Sequence, residues 1–269
     1  MTTNNGSFLS RVREGETVFG VWLTSGSVSL ADSISRTPGV DYICIDMQHG
    51  LAHSEETIFA IATSRYAESI GVLVRVGANN ELEIGRSLDL GAVGVIVPGI
   101  ESAEEANRAA AACRYPPNGH RSYGPSGAVS VFGSDDPRDL EQALCFVMIE
   151  TKTGVDHLEE ICRTKSIDGV YIGPWDLAIN LGRIPGELGD DALLSVAERV
   201  RSICNEEGKI PGIQCSSGVW AARYAEMGFR LITVGTDGGL LSQIMAKEFS
   251  TARGLHDSNL QDSIKGTNV

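Results

Sequence analysis

The stretch A-V-G-V-I-V-P-G-I-E-S-A-E-E, residues 92–105, decides how this chain folds. Residues 92–97 form a continuous apolar run without alternation, as expected of a strand buried on both faces. Ser102 then offers a hydroxyl cap, with Glu104 and Glu105 in the first turn of a following helix. One strand feeds one helix, and the unit recurs in both directions. Strand-like runs lie near 18–24, 40–46, 71–76, 92–97, 144–149, 168–172, 209–213 and 229–234. Ser54-Glu55-Glu56-Thr57 opens another helix, and the pairs Leu90-Gly91 and Met227-Gly228 end two more. Eight such units in 269 residues predict an α/β chain closed as a (β/α)8 TIM barrel. A doubly wound sheet is the competitor, but no G-x-G-x-x-G follows the first strand.

Bulk properties narrow the function. A formal charge of −13 argues against nucleic acid and anionic membrane surfaces as partners, while leaving room for a small anionic substrate. The six cysteines are scattered without C-x-x-C spacing, so neither a disulfide framework nor a zinc site is expected. M-T-T-N-N-G-S-F-L-S-R-V lacks a basic start followed by an apolar run, and no segment is apolar enough to span a bilayer. A single soluble, cytoplasmic domain over 1–269 is the expectation. The tail from about residue 250 loses its apolar period and is expected to be loose or to reach a neighbour. Between the fourth and fifth strands, Y-P-P-N-G-H-R-S-Y-G-P-S-G-A (115–128) is too rich in Pro and Gly for a helix. The 114–135 segment reads as a wall of the site or a subunit contact.

Active sites of such barrels lie at the carboxyl ends of the strands, so polar residues found there are candidates. V-D-Y-I-C-I-D-M-Q-H-G (40–50) ends on Asp46 and His49, V-L-V-R-V-G (72–77) carries Arg75, F-V-M-I-E-T (146–151) ends on Glu150, and V-Y-I-G-P-W-D-L (170–177) on Asp176. Glu150 and Asp176, on adjacent strands and without His or Cys partners, suit a hard divalent cation: Mg²⁺ or Mn²⁺, with Co²⁺ also compatible. The bland alternative is a carboxylate paired with arginine and another capping a helix. Arg75 reads as a fixed cation for a developing oxyanion, or as the structural partner of an inward acid. His49, with Asp46 three residues before it, reads as an acid/base, or as an ordinary loop histidine. Trp22 ends the first strand and belongs to the core or the pocket.

These residues carry a resemblance. G-V-W-L (20–23), I-D-M-Q-H-G (45–50), V-R-V (74–76), V-P-G-I (97–100), R-Y-P-P-N-G-H-R-S-Y-G (114–124), I-E-T (149–151) and G-P-W-D-L (173–177) resemble the HpcH/HpaI aldolases over about residues 18–245. This family comprises metal-dependent class II pyruvate aldolases. The resemblance implies a barrel of the phosphoenolpyruvate/pyruvate type, assembled as a homo-hexamer, often with an exchanged C-terminal helix. It further implies reversible cleavage of a 4-hydroxy-2-oxo acid into pyruvate, or a close 2-oxo acid, and an aldehyde. By similarity, Glu150 and Asp176 bind the metal, His49 oriented by Asp46 is the acid/base, and Arg75 contacts the keto oxygen. Gly173, Trp175 and Asp176 hold the pyruvate carboxylate, with Trp22 close by. This chain departs from many relatives at Met148, where they carry Gln, at Trp175, where they carry a small residue, and at Ser126-Gly127-Ala128, where they carry an Arg-Ala pair. These departures leave the aldehyde unassigned.

Three rivals accompany that reading. A Schiff-base aldolase needs a desolvated lysine, and of five lysines only Lys152 falls near the active face. An acyl-CoA lyase on the same barrel needs further basic residues for nucleotide phosphates. A non-catalytic keto-acid binder needs only the pocket.

Overall fold

In a computed structural model, which describes residues 7–51, 54–63 and 70–254, eight strands close into one parallel barrel in sequence order. They are β1 (Val18–Leu23), β2 (Tyr42–Asp46), β3 (Gly71–Arg75), β4 (Gly94–Val97), β5 (Leu144–Ile149), β6 (Gly169–Ile172), β7 (Ile210–Gln214) and β8 (Leu231–Thr236), with β8 pairing back onto β1. At least one helix follows every strand. The expected strands are all present, displaced by at most two residues at either end. The expected caps are present too: Ser54 accepts from the Thr57 N–H and Ser102 from the Glu105 N–H. Gly91 and Gly228, both at φ 108°, follow the ends of their helices.

Strand periodicity places the site. Alternate residues of a barrel strand face inward, so Tyr42 and Cys44 form an inner column topped by Asp46, and Leu144, Phe146 and Met148 one topped by Glu150. Trp22, Tyr42, Cys44, Leu73, Phe146, Met148 and Tyr171 belong to one fully packed inner cluster. The other faces of the strands meet the helices through a second, larger apolar cluster of residues such as Ile43, Ile45, Val147, Ile149, Ile161 and Leu177. Thr233 joins the hydroxyls of Tyr42 (2.9 Å) and Tyr171 (2.7 Å) inside the barrel. The helix Phe8–Arg13, which no sequence signal predicted, closes the amino end by packing Phe8 against Tyr42 at 5.9 Å between ring centroids.

The 114–135 segment does not line the strand-tip cavity of its own chain. Arg114 donates to the Ala143 carbonyl at 2.8 Å and to Asp168 at 3.0 Å, both preceding strands β5 and β6 at the amino end of the barrel. Arg121 is buried against Asp89, at the end of the helix Glu81–Asp89, at 2.7 Å. Those pairs hold the segment on the side opposite the strand tips. It is irregular through Gly127 and then forms the short helices Ala128–Phe132 and Pro137–Leu140. The last helix runs Asp237–Ala252, beyond the expected loss of order near 250; the rest of that tail, 255–269, lies outside the described residues. Among the described residues, no helix is long and apolar enough to cross a membrane.

Candidate active site

At the carboxyl end of the barrel a cavity of about 450 Å³ is lined by every candidate residue: Trp22, Asp46, His49, Arg75, Glu150, Gly173, Trp175 and Asp176. Sequence distance is overcome by strand register. Asp46 and Arg75 are direct partners across β2 and β3, and Ile149 and Ile172 across β5 and β6, which brings Glu150 beside Gly173.

Arg75 is fixed on two sides. Its Nε donates to Asp46 Oδ1 at 2.9 Å and its Nη2 to Asp46 Oδ2 at 2.6 Å. The guanidinium carbon lies 4.9 Å from the centroid of the Trp22 ring. Among the described residues nothing accepts from Nη1, which leaves a donor for an oxygen in the cavity. A buried bidentate pair of this kind is geometrically rigid. Burial raises the Asp46 carboxyl, but the hydrogen bonds and charge of Arg75 outweigh it, and the carboxyl ends below its usual range. The Trp22 indole nitrogen is buried without a partner in hydrogen-bond geometry, yet it lies near enough to Asp46 to favour the ionised acid.

One expectation is corrected here. Asp46 does not orient the His49 ring. Its Oδ1 accepts from the backbone N–H groups of Gln48 (3.0 Å) and His49 (3.1 Å), and its remaining capacity goes to Arg75. The carboxylate has more to gain from a cation in register than from an imidazole three residues on. Asp46 therefore shapes the turn carrying His49, whose side chain is exposed at the cavity mouth.

Glu150 is buried while Asp176 is exposed on the cavity wall. Glu150 Oε1 accepts from the Gly99 N–H at 2.7 Å. Its carboxyl is raised by burial, drawn back by that N–H, and pushed up further by the charge of Asp176. Neither acid has a basic partner among the described residues. Gly173 makes room for Glu150: a Cβ there would lie 2.7 Å from Oε2. Asp176 falls in the first turn of the helix Pro174–Asn180. Among the described residues no third His, Cys, Asp or Glu is placed to join Glu150 and Asp176 around one ion; two acids fit a hard cation that keeps water and substrate oxygens in its remaining positions.

Sequence reasoning missed part of the lining: Thr24, Gln214, Cys215, Ser216, Thr236, Gly239, Leu240 and Gln243. Gln214 ends β7, Cys215 and Ser216 directly follow it, and all three obey the same strand-tip rule used for the others. Gln243 sits within a helix and offers no such signal. Asp237 was missed as well; it is buried and ties β8 to β1 by accepting from the Thr24 N–H (3.0 Å), the Thr24 hydroxyl (2.6 Å) and the Ser25 N–H (3.1 Å). Lys152 does not line the cavity: it is exposed and ion-paired with Asp156 at 2.7 Å.

Residues 18–243 match the family model described as HpcH/HpaI aldolase/citrate lyase. A hydroxypyruvate/pyruvate aldolase from Roseobacter denitrificans is 31% identical over 242 residues, covering 87% of this chain and 92% of that protein. A 4-hydroxy-2-oxo-heptane-1,7-dioate aldolase from Shigella flexneri is 30% identical over 266 residues, covering 97% and 98%. The crystal structure of an HpcH/HpaI aldolase/citrate lyase family protein from Burkholderia cenocepacia aligns with a TM-score of 0.82 at 30% identity, over 92% of this chain and 99% of that one.

Proposed function

The chain belongs to the HpcH/HpaI aldolase/citrate lyase family, and on that premise we propose that it is a carbon–carbon lyase of the pyruvate aldolase class. Its reaction is the reversible cleavage of a 4-hydroxy-2-oxo acid into pyruvate, or a close 2-oxo acid, and an aldehyde. The observation that carries this reading is the pairing, in one cavity, of an unneutralised carboxylate pair with a rigidly held arginine donor.

Glu150 and Asp176 would hold a divalent cation, Mg²⁺ or Mn²⁺, with Co²⁺ also compatible. When bound there, the cation supplies Lewis-acid polarisation of the 2-oxo group and offsets the two acids. Arg75, through its free Nη1, donates to the 2-oxo oxygen as negative charge develops on it. Because Asp46 and Trp22 already fix the guanidinium, this donor needs no reorganisation as the charge forms. His49 removes the C4 hydroxyl proton, directly or through water, as the C3–C4 bond breaks. The bonding pair passes into the enolate of pyruvate, and C3 then takes a proton that His49 releases directly or through water, which restores the base. In the synthetic direction His49 returns its proton to the new alkoxide. Among the described residues nothing accepts from the backbone N–H groups of Trp175 and Asp176, beside Gly173, and these would hold the substrate carboxylate.

We also read the barrel as the phosphoenolpyruvate/pyruvate type, working as a cytoplasmic homo-hexamer. The exposed stripe Leu241, Ile244, Met245 and Phe249 on the last helix supports an assembly contact. A Schiff-base route gains no lysine among the described residues lining the cavity, and the single arginine there is already held by Asp46 rather than poised for nucleotide phosphates.

The test is cleavage of a panel of 4-hydroxy-2-oxo acids by metal-stripped protein, with lactate dehydrogenase following released pyruvate. Activity should return with Mg²⁺, Mn²⁺ or Co²⁺. Full turnover in excess chelator, or a borohydride-trapped pyruvate adduct, would remove the proposed role of Glu150 and Asp176.

A further inference from the structure

The turn that carries His49 is held from two sides, by Asp46 and by the tip of β1. We infer that Asp237 is a positioning residue for the reaction: acting through that tip, its carboxylate fixes the turn and so aims His49. This rests on the aldolase reading above, in which His49 moves the proton.

The strand ladders stop short of the site. β1 pairs with β2 as far as Leu23 and Ile45, and with β8 as far as Trp22 and Thr236, after a shift of register between Gly20 and Val21. Thr24 and Ser25 lie beyond both ladders, yet Thr24 lines the cavity. Asp237, next after Thr236 and first in the last helix, takes over at that point. Its Oδ1 accepts from the Thr24 N–H at 3.0 Å and the Thr24 hydroxyl at 2.6 Å, and its Oδ2 from the Ser25 N–H at 3.1 Å. The residue is only 5% exposed. Hydrogen bonds to an ionised acceptor are stronger than neutral ones, and the start of a 16-residue helix favours the same charge. Burial raises the carboxyl, but the bonds from Ser25 and Thr24 outweigh it and leave it below its usual range. The group is therefore an acceptor only, matched to three donors.

What Asp237 fixes is passed on to the next strand. The Thr24 carbonyl accepts from the Leu51 N–H at 2.7 Å. A Cβ on Gly50 would run into the Asp46 carbonyl oxygen and lie 3.1 Å from that of Thr24. The two residues that follow His49 are thus seated on the tip of β1, while Asp46 holds the Gln48 and His49 N–H groups on the other side. The His49 ring has no hydrogen-bond partner of its own among the described residues, so within the chain its aim comes from the turn. A misplacement of about 1 Å at a reacting group can cost about 10²-fold in rate.

The experiment starts from Asp237→Asn. This variant keeps the shape of the side chain, but whichever way the amide turns, its NH2 faces the N–H of Thr24 or of Ser25. The kcat for cleavage of a 4-hydroxy-2-oxo acid should fall at least tenfold, while the dissociation constants of Mn²⁺ and of pyruvate stay within twofold of the parent. In a His49→Ala protein the same substitution should change kcat by less than twofold, because a base that is absent cannot be misplaced. A purely structural role gives the same fold-loss in both backgrounds, and that result overturns the inference. A folded Asp237→Asn protein with the parent's kcat overturns it as well. If circular dichroism shows that Asp237→Asn does not fold, Thr24→Val, which removes only the hydroxyl bond, decides the matter. Its kcat should fall at least threefold with His49 present and stay level without it; an unchanged kcat with His49 present overturns the inference. A parent protein that neither cleaves these acids nor exchanges deuterium at C3 of pyruvate sinks the aldolase reading and this inference together. An active parent whose Asp237 losses ignore His49 sinks this inference alone.

Discussion

Replacing Gly173 with alanine should loosen metal binding without unfolding the barrel. The backbone there, at φ −92°, is open to alanine, so any effect comes from the added methyl. That methyl would lie 2.7 Å from Glu150 Oε2, 3.0 Å from Met148 Sδ and 3.1 Å from Glu150 Cβ. Restoring ordinary contact requires the carboxylate to retreat by about 0.7 Å. The bond from the Gly99 N–H to Oε1, now 2.7 Å, would then stretch out of the strong range. A hydrogen bond to a charged group contributes about 1.5–3 kcal/mol. If that loss falls on the geometry presented to a cation, affinity drops by about ten- to a hundredfold. Titration of Mn²⁺ into the metal-free protein, read by electron paramagnetic resonance, gives the dissociation constant directly, and circular dichroism checks that the fold persists. A folded Gly173→Ala protein that binds Mn²⁺ within twofold of the parent would refute the argument that Glu150 is a ligand held in place by this glycine.

Three other outcomes follow from the same geometry. Glu150→Gln should stabilise the metal-free protein. The folded-state carboxyl is raised, so its ionisation opposes folding: stability is highest below the unfolded value and declines as pH rises through the folded one. The gain in melting temperature should therefore be larger at pH 8 than at pH 4, while stabilisation by Mn²⁺ disappears; an equal gain at both pH values contradicts the assignment. Arg75→Met should destabilise by about 3–5 kcal/mol in urea unfolding, because it strands the buried Asp46, and an Asp46→Asn/Arg75→Met double variant should recover part of that loss. His49→Ala should lower turnover by about 10²- to 10⁴-fold while calorimetry still detects pyruvate binding with Mn²⁺; undiminished turnover takes His49 out of the proposed mechanism.

The barrel was readable because strands buried on both faces leave unbroken apolar runs, and capped helices between them leave hydroxyl–acid signatures. The strand-tip rule also found the residues that converge: Trp22, Asp46, Arg75 and Glu150 occupy positions whose direction follows from period two alone. Their partnerships were less legible. Proximity in sequence suggested Asp46 with His49, whereas register across β2 and β3 gave Asp46 to Arg75, and register depends on pairing that no single strand encodes. The irregular 114–127 stretch showed where a helix was absent but not which end of the barrel it covers; Arg114 and Arg121, through Asp168 and Asp89, decide that. Gln243 escaped because a polar residue on an exposed helix looks like any solvated one until its neighbours are known.

The inner columns beneath the cavity have a kinetic corollary. Phe146, Met148, Tyr42 and Tyr171 are fully buried below Glu150 and Asp46, and Phe8 stops the far end. The shaft is solid, so molecules come and go by the upper mouth alone. A two-substrate reaction in such a blind well imposes a queue: the ligand seated at the bottom arrives first and departs last.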